Sequence, residues 1–132
     1  MAAMPQPLVL YTLVERSRVQ NCIEGNSLPK QSGWHIGLRE KLEDAVGRAA
    51  KYTEHLDKDS HMVLRVTFHP LGIALYTTSF GDASYQFKPV LHKVAYGGMT
   101  DWGCWRFIQD LPLSMTSSAG EPMVSTEILD IC

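Results

Sequence analysis

Trp34-His35-Ile36-Gly37-Leu38 runs directly into Arg39-Glu40-Lys41-Leu42-Glu43-Asp44-Ala45-Val46-Gly47-Arg48-Ala49-Ala50-Lys51-Tyr52, and the change of pattern between the two points to the fold class. A short apolar run carrying one histidine passes into a segment whose apolar positions, Leu38, Leu42, Ala45, Val46, Ala49 and Ala50, recur at the spacing of one helical face. The pattern predicts a strand that delivers a polar side chain to the mouth of a sheet, then a helix packing back. Asp44 and Arg48, at i,i+4, fall on the solvent side of that helix.

Upstream, Leu8-Val9-Leu10-Tyr11-Thr12-Leu13-Val14 is continuous, apolar and β-prone, and it reads as a buried first strand. Ser17 is placed to cap a short helix in which Val19, Cys22 and Ile23 share a face, and Gly25-Asn26 supplies a left-handed stop. Residues 26–33 then read as a loop rich in turn formers.

Downstream, residues 54–60 form a charged turn. His61 to His69 predicts a half-buried strand, with Met62, Leu64, Val66 and Phe68 on one face and Val63, Arg65 and Thr67 on the other. Pro70-Leu71-Gly72 reads as a turn, Ile73 to Thr78 as a strand, Gly81 to Ser84 as a turn, and Val90 to Tyr96 as a strand. Trp102, Trp105, Phe107 and Ile108 make a last aromatic segment. From Leu113 onward, Ser, Thr, Gly and Pro are dense.

This order predicts an α+β architecture, with helices against a largely antiparallel sheet. At 132 residues and 45% hydrophobic content, one domain over residues 1–112 with a loosely held tail over 113–132 is expected. A formal charge of -2 provides no broad field for gathering phosphate backbones. Three scattered cysteines without a Cys-x-x-Cys pair indicate neither a disulfide framework nor a zinc ribbon. The apolar run 8–14 is too short for a signal core or a membrane span, so a cytoplasmic protein with no membrane partner is expected.

His35 is a candidate to bond a ligand's ribose or phosphate, with the following helix offering its positive end to an anion. The structural alternative is a strand histidine satisfied by neighbouring backbone. His61 and His69 would sit roughly 26 Å apart on a continuous strand, so they cannot share a metal, and no metal site is expected. Nucleophile-elbow, phosphate-loop and dinucleotide-fingerprint motifs are absent. Cys22, on the apolar side of its helix, reads as inert packing, and Glu40, Glu43 and Asp44 as a solvated face. Tyr76, Phe80, Tyr85, Trp102 and Trp105 are either cleft aromatics that stack on a base or ordinary core rings. Arg65 and Arg106 stand among apolar neighbours and need an anion, whether a ligand phosphate or an acidic side chain.

Laid out this way, residues 8 to 108 resemble the catalytic core of ADP-ribosyltransferase-like proteins, nearest to the RNA 2′-phosphotransferases. Leu10-Tyr11-Thr12 is similar to that family's first strand, ending Leu-Tyr-His-Gly-Thr, and Trp34-His35-Ile36-Gly37-Leu38 to its Val-His-Leu-Ser strand. Val63-Leu64-Arg65-Val66 and Gly72-Ile73-Ala74-Leu75-Tyr76-Thr77-Thr78 resemble its paired strands, the second of which reads Gly-x-x-Phe-Tyr-x-Ser. The resemblance implies two small antiparallel sheets facing each other across an NAD-binding cleft, with two short helices. It makes His35 and Thr12 the catalytic residues that orient the ribose. Tyr11, His35, Arg65, Tyr76 and Arg106 become the cofactor-binding residues, NAD the cofactor, and a protein or RNA the acceptor.

Two departures bear on this. Thr12 stands where the family has its first histidine, and Leu13 replaces the glycine that admits the nicotinamide amide. Both changes weaken dinucleotide capture. The expectations are therefore a transferase that binds NAD or another ADP-ribose-containing nucleotide or, alternatively, a catalytically inactive binding domain on the same or an unrelated α+β scaffold.

Overall fold

Alternation of apolar and polar residues decides which side of each strand is buried, and the two longest β-prone runs become neighbours. The computed structural model describes residues 6–29, 36–42, 61–77, 90–93 and 104–129. Along them run β1 (Leu8–Glu15), α1 (Arg16–Gly25), β2 (Ser27–Leu28), β3 (Ile36–Arg39), β4 (His61–Phe68), α2 (Pro70–Thr77), β5 (Leu91–Lys93), β6 (Cys104–Phe107), β7 (Leu111–Pro112), β8 (Met115–Thr116) and β9 (Pro122–Leu129). Seven strands form one sheet in the order β5-β6-β3-β1-β4-β9-β8, and β2 pairs with β7 in a small second sheet. Among the described residues every pairing is antiparallel. The α+β expectation is thus met. None of the described helices is long and apolar enough to cross a membrane.

β1 and β4 pair along their whole lengths, from Leu8 opposite Phe68 to Glu15 opposite His61. Leu10, Thr12 and Val14 consequently share a face with Val66, Leu64 and Met62, as the alternation in 61–69 predicts. The core forms on this face. Leu10, Val14, Leu64, Val66 and Phe68 join Val19 and Cys22 of α1 and Tyr76 of α2 in one cluster. Phe68, Tyr76 and Phe107 meet as a triangle of rings with centroids 5.0 to 6.2 Å apart, two of the contacts edge-on.

Four local readings need correction. Ile73–Thr78, read as a strand, belongs to a helix up to Thr77. Pro70 fits a first helical turn, where its missing N–H is no loss, and the Ile73 amide donates to the His69 carbonyl at 2.8 Å. Gly72 and Tyr76, one turn apart, are the buried positions. At Gly72 an added Cβ would collide with the Met123 carbonyl oxygen, so glycine is what lets α2 settle on β9.

The segment from Leu113 does not trail loosely. β9 pairs with β4 from Val124 opposite Phe68 to Leu129 opposite Val63. Gly120, with φ of +83°, closes the turn that returns from β8 to β9. Pro122 opens β9, a strand position at which a missing N–H is tolerated.

Helix α1 starts one residue before Ser17, on Glu15 in extended conformation and without a side-chain cap. Its expected left-handed stop is present, carried by Asn26 at φ 50° and ψ 39°. In the pivot stretch the strand continues through Leu38 to Arg39, so a helical face cannot be counted from Leu38, and Leu42 is 42% exposed. The rest of the expected pivot helix, and the readings placed on residues 54–60, 78–89 and 94–103, lie outside the described residues.

Candidate functional site

The side of the main sheet away from α1 and α2 has a different chemistry. Tyr11, Arg65, Thr67, Ser125 and Glu127 project there, because each is offset by one residue from the core positions of its strand. Val63, 1% exposed but outside the core cluster, shares this side and shows that part of it is closed to solvent.

Register aligns one row across four strands: Arg39 of β3 opposite Tyr11 of β1, Tyr11 opposite Arg65 of β4, and Arg65 opposite Glu127 of β9. Arg65 Nη2 forms an ion pair with Glu127 Oε2 in an exposed setting, the two side chains being 39% and 59% accessible. Arg39 is only 7% exposed, and among the described residues no carboxylate pairs with it. A buried guanidinium is costly without an anion beside it.

One step along β6, Arg106 stands opposite Gly37 and His92. It is therefore a diagonal neighbour of Arg39, about 7 Å away at the Cβ positions. Gly37 is exposed, and a Cβ built on it meets nothing within 4 Å, so the floor beside these arginines is open. Arg39, Arg65 and Arg106, set around a tyrosine ring and an uncovered glycine, favour a ligand with two adjacent negative charges and a flat group.

The residues singled out in the sequence divide between the two sides. Tyr11, Arg65 and Arg106 come together on the cationic side. Thr12 faces the other way, 7% exposed and opposite Leu64, so it cannot reach a ligand bound beside Tyr11. Tyr76 is a core residue whose hydroxyl donates to Met115 Sδ at 3.5 Å, and burial pushes its pKa up. His35, Phe80, Tyr85 and Trp102 lie outside the described residues. Trp105 lies on the core side and donates from Nε1 to Glu40 Oε1 at 2.8 Å. Lys93 pairs with the same oxygen at 3.2 Å and sits 5.8 Å from the Trp105 ring centroid. Glu40 thereby ties the end of β3 to β5 and β6 instead of decorating a solvated face. Cys22 is buried against the core, as read.

Two features escaped the sequence reading. Arg39 reads in the sequence as the start of a helix and is instead the last residue of β3. Its strand position becomes legible only if the apolar alternation of Ile36 and Leu38 is continued one residue further. The second is a contact between His69 Nε2 and Ser125 Oγ at 2.8 Å, half-buried, which no spacing announces because 56 residues separate the partners. Among the described residues no three His, Cys, Asp or Glu side chains converge as a metal site would require. Comparison of the chain with protein-family models, curated proteins and solved structures finds no match to any of them.

Proposed function

We propose that this chain is a nucleotide-binding domain that takes an ADP-ribose-containing ligand such as NAD on the cationic side of its sheet, without transferring the ADP-ribose. The observation carrying this reading is the row Arg39-Tyr11-Arg65, with a nearly buried guanidinium at one end and Arg106 diagonal to it. A diphosphate spans the distance between neighbouring strands, and two arginines hold it through charge-assisted bonds. Tyr11 supplies a ring against which a base or ribose lies. The resemblance to ADP-ribosyltransferase-like cores provides the ligand class to test first. Binding without transfer is favoured by the position of Thr12, which is inside the core.

Calorimetric titration with ADP-ribose and NAD, on the native chain and on Arg106→Ala and Tyr11→Leu variants, tests the proposal. Binding should weaken about tenfold or more in Arg106→Ala, the loss of one charge-assisted contact, and by less in Tyr11→Leu, the loss of a ring contact, and no nicotinamide should be released from NAD. Absence of heat at millimolar ligand with folded protein would remove the nucleotide reading. Nicotinamide release would restore the transferase reading.

A further inference from the structure

The contact between His69 and Ser125 lies on the same side of the sheet, one row from Arg65 and Glu127, and has the geometry of a nucleophile and its base. We propose that Ser125 is an acyl-accepting nucleophile activated by His69, and that the site takes short-chain esters. This is independent of the nucleotide reading.

Both groups are held by backbone. Ser125 is in the middle of β9, opposite Thr67 of β4. His69 is pinned twice, its amide donating to the Met123 carbonyl at 2.9 Å and its carbonyl accepting from the Ile73 amide at 2.8 Å. The imidazole is therefore aimed at Ser125 Oγ from a fixed position, 2.8 Å away, within reach for proton transfer. Both residues are partly exposed, so the contact is reachable from solvent.

In the reactive tautomer the Ser125 hydroxyl donates to His69 Nε2. Attack forms the bond from Ser125 Oγ to the ester carbonyl carbon while the hydroxyl proton passes to Nε2. Collapse breaks the bond to the leaving alkoxide, which takes that proton and departs as the alcohol. Water then attacks the acyl-serine, giving its proton to Nε2, and Ser125 recovers its hydrogen as the carboxylic acid leaves. A serine–histidine pair acting without a third group to orient the imidazole turns over slowly.

The test uses 4-nitrophenyl acetate as substrate and a fluorophosphonate as covalent probe, on the native chain, Ser125→Ala and His69→Gln, with circular dichroism to confirm folding. The native chain should release 4-nitrophenolate with a burst and carry the probe on Ser125. Both variants should lose at least about a hundredfold in burst rate, the lower range for general-base catalysis. Because His69→Gln could perturb the start of α2, probe labelling is a second readout: it should fall on Ser125 in the native chain and be absent from folded Ser125→Ala. No labelling of the folded native chain, labelling on another residue, or equal rates in native and Ser125→Ala chains would each overturn the proposal.

Discussion

β1 presents two chemistries one residue apart. Leu10, Thr12 and Val14 enter the core with Leu64, Val66 and Phe68, while Tyr11 faces the other way between Arg39 and Arg65. The core side packs against α1 and α2 and holds its rings at contact distance. The opposite side collects guanidinium groups beside an open glycine floor. A period of two allows this separation of tasks: substitutions on one side act on folding, and those on the other act on what the sheet holds.

Phe68→Ala should break the core side with the largest effect. Phe68 is fully buried between Tyr76 and Phe107, and its loss should cost about 3–5 kcal/mol in urea unfolding. Gly72→Ala should follow at roughly 1–3 kcal/mol, because the new methyl group forces α2 away from Met123. Tyr76 makes the core side sensitive to alkaline pH. Its pKa is raised by burial above the ordinary value of 10.0. The unfolded chain therefore loses this proton first, from about pH 10, and stability that is fully present below that pH falls as pH rises toward the folded pKa. Thermal unfolding across the alkaline range should decline more steeply for the native chain than for Tyr76→Phe.

On the other side, Arg65→Ala should cost at most about 1 kcal/mol in stability, since its ion pair with Glu127 is exposed and screened. A larger loss would mean that the cationic side also carries folding energy. Least of all, Thr12→Val should leave ADP-ribose affinity unchanged within about twofold, a margin below half a kcal/mol. A clear loss would place a ligand-contacting role on the core side and erase the division.

How much of this the sequence announced depends on whether each segment's pattern was unambiguous. The runs 8–14 and 61–69 are apolar or alternating enough to admit one reading, and both are strands. Ile73 to Thr78 is a short apolar run, which periodicity cannot assign to helix or strand. Pro70 at the first helical position decided it. β9 was obscured by its own composition. Thr126 and the part-exposed Ile128 occupy its core side, so the alternation carries little contrast, and Ser125 and Glu127 resemble tail residues. The cationic row could not be foreseen residue by residue. Arg39, Tyr11, Arg65 and Glu127 meet only through the registers of three separate pairings.

The place of β9 next to β4 also has a consequence in time. Contacts such as Arg65 with Glu127 close a separation of 62 residues, and non-local pairing of this kind slows folding. During synthesis β4 can join β1 early, yet it must present an unfilled hydrogen-bonding edge until residue 129 has emerged from the ribosome. The nascent chain should accordingly be most prone to clump in that interval, and slowing translation between β4 and β9 should lower the yield of soluble protein.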